Sequence, residues 1–202
     1  MSGSAPKPSP QSSRRVLWLL LLAFAVPLAL SFLAYYGLGW APAGHTNHGR
    51  LIVPPRTLPQ QALPRANASA GEAPTDLLRG KWSLLYAGSG ACEADCRATL
   101  YFMRQTHLSL GSLMSRVQRV FLATERSRES TALARDYPDL VAVDASDPAA
   151  AAVRAAFPQA DRPHGVFIVD PLGNVMMRYD AQQDPKGLRD DLKKLLGLSH
   201  IG

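Results

Sequence analysis

Cysteine is scarce in this chain. Only two occur in 202 residues, Cys92 and Cys96. That scarcity excludes a small secreted scaffold held by several bridges, which needs more thiols than one pair. Also missing are a G-x-S-x-G elbow, a Walker sequence and an H-E-x-x-H pair, so neither a serine hydrolase, a P-loop nucleotide site nor a zincin has any motif to stand on. Aromatic residues are 7% of the chain, and no polybasic run interleaved with them marks a nucleic-acid surface. Acids are absent from the first forty positions, and Val16 to Gly44 carries no charged side chain at all.

The uncharged stretch contains 25 consecutive residues, Val16 to Trp40, that are apolar or small. As a helix it would reach about 37 Å, enough to cross a hydrocarbon core of about 30 Å with some tilt. Pro27 permits a kink without forbidding a span. Tyr35, Tyr36 and Trp40 gather at the distal end as an interfacial belt would. Ala41-Pro42-Ala43 has the small-x-small pattern of a cleavage site, but a signal-peptide core runs to only about 7–15 residues, so the expectation is an uncleaved anchor. Lys7, Arg14 and Arg15, with no acid beside them, place residues 1–15 in the cytoplasm and 41–202 outside a bacterial inner membrane, in the periplasm. Removing those three from the 22 basic residues leaves 19 against 16 acids, so the exported part has little net charge and the high pI is mostly a topology signal.

Prolines at 54, 55, 59, 64 and 74 prevent a regular helix beyond the anchor. Residues 41–78 are expected as an extended tether, with Leu51-Ile52-Val53 able to pair as a short edge strand. From 79 to 202 the periodicity predicts one domain. Strands are expected at Trp82–Ala87, Val117–Ala123, Leu140–Val143, Gly165–Val169 and Val175–Tyr179. Helices are expected at Asp95–Leu110, closed by Gly111, at Glu129–Asp136, from Asp147-Pro148 to Phe157, and from Asp184-Pro185 onward with Leu188, Leu192, Leu195 and Leu196 on one face. Asp170-Pro171-Leu172-Gly173 is a hairpin signal between the last two strands. A βαβ unit followed by ββα is an α/β thioredoxin-like pattern, a central mixed sheet flanked by helices.

Cys92 and Cys96 stand between the first strand and the first helix of that pattern. Thiols at i and i+4 share one helix face, close enough for a disulfide and equally able to offer two soft ligands to one ion. A helix N-terminus favours the thiolate, while Glu93 and Asp95 oppose it. Two thiolates alone do not close a zinc or iron-sulfur site, and copper with one imidazole is the economical completion. The bland alternative is an incidental bridge or two buried thiols. Among the histidines, His164 enters the fourth strand beside the expected cysteine turn and is read either as a ligand or as a loop histidine stabilising a turn. His107 lies about 16 Å along the helix from Cys96, too far for a shared ion, and is expected at the core edge. His45 and His48 are linker histidines with at most a weak second copper contact, and His200 is in the tail.

Gly80-Lys81-Trp82-Ser83-Leu84-Leu85-Tyr86-Ala87-Gly88, the Cys92/Cys96 spacing, and Val169-Asp170-Pro171-Leu172-Gly173 at the hairpin resemble the Sco/SenC family. Asn47-His48-Gly49 with Leu51-Ile52-Val53-Pro54-Pro55-Arg56 is similar to a subgroup of small Sco-like proteins. The resemblance covers the anchor and nearly all of 79–197. It implies a thioredoxin-like domain that helps assemble the copper centre of cytochrome c oxidase, with copper held by Cys92, Cys96 and a histidine, and with the oxidase subunit carrying that centre, or other assembly factors, as partners. This chain departs from the family's C-P-x-x-C-P, since Glu93 and Arg97 replace both prolines. Counting back from Pro171, the position of the family's ligating histidine falls on Arg162, and His164 is two residues nearer the hairpin.

Three functions therefore stand open: a non-enzymatic assembly factor that binds copper or reduces target cysteines, a general thiol-disulfide oxidoreductase in which Cys92 and Cys96 are the catalytic redox pair, and a copper-free scaffold.

Overall fold

A computed structural model describes residues 10–40, 46–66, 73–125, 132–133, 135–143, 146–157, 165–180 and 184–202. The chain divides into two compact units, Met1–His45 and Thr46–Gly202.

In the first unit, α1 spans Pro10–Phe32 and continues as a π-helical turn through Leu33–Gly37. Proline at the first position is tolerated because its missing N–H would have had no intrahelical partner. Helix formation therefore begins six residues before the apolar run expected at 16–40. Arg14–Gly37 is long and apolar enough to cross a membrane, and Pro27 lies inside it.

The second unit is built on a six-stranded mixed sheet in the order β1-β6-β5-β2-β3-β4. The strands are β1 Arg50–Thr57, β2 Trp82–Gly88, β3 Val117–Ala123, β4 Leu140–Val143, β5 Gly165–Val169 and β6 Asn174–Asp180. β2, β3 and β4 run parallel, while β5 and β6 return antiparallel to β2 and β1 closes one edge against β6. The central strands are buried on both faces, which is why they read as continuous apolar runs instead of alternating ones.

Alternation sorts their side chains into two cores. Leu84, Tyr86, Phe121, Val166 and Ile168 meet α2 (Ala94–Leu108) and α4 (Pro185–Leu198) on one face. Leu85, Val120, Leu122, Phe167 and Val169 meet α3 (Pro148–Ala155) on the other. α3 and α4 both start with Pro at the first turn, and Asp147 and Asp184 cap them by accepting the amides of Ala149 and Gly187, each at 2.7 Å. α4 buries Leu188, Leu192 and Leu196 as its periodicity requires. α2 ends at Leu108, and Gly111 does not cap it; with φ +61° it opens a short 3-10 turn, Gly111–Arg116. In the hairpin, Asp170 Oδ1 accepts the amides of Leu172 and Asn174 at 2.9 and 2.8 Å, and Gly173 takes φ +85° to complete the turn.

The segment expected as a tether is packed wherever it is described. β1 lies on the sheet, and Leu58, Leu63, Leu77 and Leu78 are buried in the second core. The Ala66 amide donates to the Ala142 carbonyl at 2.7 Å, so residues 65–66 cover the free edge of β4. Proline forbids helix but not an extended path across a sheet face, and the leucines supply the apolar area that holds it there. Upstream, the amides of His48 and Gly49 donate to Asp191 Oδ2 at 2.7 and 3.1 Å, and Tyr179 Oη donates to the same oxygen. The domain thus begins near Thr46 and not at residue 79.

Candidate functional site

β2 ends beneath the cysteine turn, and its last residue is held close. A Cβ at Gly88 would lie 2.9 Å from the ring of Tyr86, so glycine leaves room for that ring to curl back under the turn. Tyr86 stacks on Phe121 with centroids 5.9 Å apart, and burial, then the charge of Asp95, pushes its phenol above the ordinary value, so it stays protonated near neutrality.

The turn itself is fixed from the end of β3. Glu125 Oε1 accepts from the Ser89 hydroxyl at 2.6 Å and from the Gly90 amide at 3.1 Å, while Oε2 accepts from the Thr124 hydroxyl. The hydrogen bonds from Ser89 and Thr124 hold the Glu125 carboxyl below the usual carboxylate range. Cys92 follows with φ 42°, in the left-handed region that non-glycine residues rarely adopt, and its amide donates to the Ser89 carbonyl at 3.1 Å. Left-handed backbone costs about 1–3 kcal/mol and persists where the surroundings overdetermine it, as the Glu125 bonds and α2 do here.

Cys92 and Cys96 are joined in a disulfide with Cα atoms 4.9 Å apart. Glu93 occupies the N-cap of α2 without a side-chain capping bond, and Cys96 follows in the first turn. Cys92 is 1% exposed and Cys96 6%, both packed with Leu100 and Met103. Arg97 Nε donates to the Cys92 carbonyl at 3.0 Å, so a guanidinium stands in the position of the second family proline. Beside Cys92 opens a cavity of about 290 Å³, lined along α2 by Arg97, Tyr101 and Arg104 and opposite them by Leu133, Asp136 and Tyr137. Arg104 sits 6.0 Å from the centre of the Tyr137 ring, a cation–π distance.

The histidines separate. His107 is buried at the far end of α2, where its Nε2–H faces the carbonyls of Met114 and Val117 at 3.0 and 2.9 Å, and Nδ1 lies 4.0 Å from Asp139. It fastens the helix end to the 3-10 turn, a core role. His48 Nδ1 lies 3.6 Å from Asp184 at the start of α4. His164, the expected third copper ligand, and His45 lie outside the described residues. Among the described residues no cluster of three or more His, Cys, Asp or Glu forms a metal site. Cys92 lies on the left-handed turn before α2 and Cys96 in its first turn, so the two sulfurs do not share one helix face as their spacing predicts; once the disulfide is reduced, two thiolates would suit the soft Cu(I) state.

Sequence reasoning did not find Glu125, which reaches the cysteine turn from 35 positions away, or Arg119. Arg119 is fully buried on β3 under α2 and pairs with Asp139. Burial acts to raise the Asp139 carboxyl, but the hydrogen bond and charge of Arg119 outweigh it and hold it below the usual range.

Solved structures with the same fold include apo Sco1 from Thermus thermophilus, 21% identical, covering 76% of this chain and 99% of that one with a TM-score of 0.58. Yeast Sco1 with copper bound is 19% identical, with coverage of 77% and 96% and a TM-score of 0.56. A SCO1/SenC family lipoprotein from Bacillus anthracis is 12% identical, with coverage of 72% and 97% and a TM-score of 0.54. No curated protein matches the sequence. Residues 82–199 match the model of the transmembrane-like, thioredoxin-like, C-terminal domain. On that match over more than half its length, the chain belongs to the transmembrane-like, thioredoxin-like C-terminal domain family, and it carries the fold of the Sco1 proteins.

Proposed function

We propose that this chain is a membrane-anchored, Sco-like assembly factor for cytochrome c oxidase whose Cys92–Cys96 pair is a reversible dithiol facing the periplasm. The observation that carries the reading is the closed disulfide at the start of α2, with Cα atoms 4.9 Å apart on a turn braced by Glu125. A pair so placed opens and closes without moving the sheet beneath it. In its reduced form one thiolate attacks a target disulfide, and the second resolves the mixed disulfide. Two electrons pass to the target, and Cys92–Cys96 closes again. The apolar helix with Lys7, Arg14 and Arg15 at its head supports an inner-membrane anchor with the domain exported.

Copper as cargo is a second reading, favoured by the two sulfurs held together at the start of α2 and by the copper-bound form of yeast Sco1. Cys92 and Cys96 would hold Cu(I) in the reduced state, with His164 as a third donor. The deciding experiment traps thiols of the full-length protein across a redox titration and measures Cu(I) stoichiometry on the reduced form beside Cys92→Ser. A two-electron transition with no copper bound keeps the dithiol role. Thiols that stay free under strong oxidation overturn it.

A further inference from the structure

The cavity beside Cys92 has a definite charge pattern. Arg97, Tyr101 and Arg104 follow one another at four- and three-residue steps, so they line one face of α2 over about 10 Å. Asp136 stands among the residues on the other wall. Arg97 is fixed next to the cysteine by its bond to the Cys92 carbonyl, and Arg104 is held at Tyr137. Among the described residues, two guanidinium groups and one carboxylate around an aromatic, partly apolar space complement a ligand with two carboxylates and one ammonium. A volume of about 290 Å³ is at the small end of ligand sites, the size of a molecule of two or three residues and too small for a folded partner. Both sulfur residues are buried, Cys92 at 1% and Cys96 at 6% exposure, and of the two Cys92 lines the cavity.

We propose that this cavity receives a small, carboxylate-bearing thiol that exchanges with Cys92 and so resets the pair to its reduced form. The proposal rests on the reversible-dithiol reading above. The thiolate attacks the sulfur of Cys92, the Cys92–Cys96 bond breaks, and Cys96 leaves as a thiolate that takes a proton from water. A second molecule of the thiol attacks the mixed disulfide, releasing the Cys92 thiolate and the small-molecule disulfide. Two thiols are oxidised and one protein disulfide is reduced.

The test follows reduction of Cys92–Cys96 in the full-length, detergent-solubilised protein by alkylation and mass shift. The probes are reduced glutathione, cationic cysteamine and neutral 2-mercaptoethanol, with each rate expressed per thiolate. Glutathione is expected to exceed cysteamine by about tenfold at low salt, from charge complementarity at the site. That ratio should fall to about twofold or less in Arg97→Gln/Arg104→Gln and in high salt, and should survive in Arg104→Lys. A wild-type ratio near one, or a ratio unchanged in the double glutamine variant, overturns the cavity assignment while leaving the dithiol role intact. Failure of all three thiols and of dithiothreitol to open the pair sinks both.

Discussion

Asp191 accepts the amide of Gly49 at 3.1 Å, across 142 positions of chain. The same carboxylate oxygen takes the His48 amide and the Tyr179 hydroxyl, so one buried acid ties the start of the domain, an edge-adjacent strand and the last helix together. Gly49 and Gly187 both permit the approach, since a Cβ at either would run into Tyr179 or into Asp184 and His48.

Asp191→Ala should therefore cost about 2–3 kcal/mol, because it strands two amides and a buried phenol together. Urea unfolding gives the magnitude. Amide hydrogen exchange should show protection lost first at His48 and Gly49, and unchanged protection there would mean that β1 alone holds the segment.

Removing one partner of the Arg119–Asp139 pair should be asymmetric. Asp139→Ala leaves a fully buried guanidinium without its counter-charge and should cost about 3 kcal/mol, whereas Arg119→Met, which removes the charge and keeps the length, should be near neutral. Thermal unfolding of both variants checks this. Equal losses would show that the guanidinium acts by packing alone.

Glu125 provides a pH signature. Its folded-state carboxyl is held below the ordinary value, so its bonds to the cysteine turn stabilise fully above the unfolded-state value of about 4.3 and are lost as the pH falls through the lower folded value. The stability difference between wild type and Glu125→Gln should be flat from neutrality down to about pH 5 and shrink in the acid range below it. Denaturant midpoints over a pH series report this. A difference that grows on acidification would contradict the assignment.

Opening the disulfide should lower stability by about 2 kcal/mol, the entropy of a loop this short. Gly88→Ala should cost about 1–3 kcal/mol through its clash with Tyr86, and Gly88→Ala/Tyr86→Leu should recover part of it. Chemical unfolding with and without reductant measures the first, and a double-mutant cycle the second.

What the sequence disclosed divides by range. β3, β4 and β5 lie where their apolar runs and turn residues predict, because buried strands between breakers leave local signals. The cysteine position was legible for the same reason, as the only thiols in the chain follow a strand and open a helix. The packing of Leu58, Leu63, Leu77 and Leu78 was not. Their spacing has no period, and proline density reads the same whether an extended segment is solvated or laid on a sheet. Glu125 was silent, since nothing near it distinguishes it from a surface charge, whereas Arg119 lies inside the apolar run Val117–Ala123 on the face of Val117 and Phe121, a signal of burial that names no partner. Their meaning lies in contacts made across the sheet.

The covered edge of β4 has a wider consequence. Residues 65–66 already bridge to Ala142 and Val143 there, and at the opposite edge β1 presents Pro54 and Pro55 between Arg50 and Arg56. Strand addition, the common route by which sheets recruit extended peptides or drift into fibrils, meets an obstacle on either side. Two copies of this domain therefore have no open strand edge through which to join their sheets.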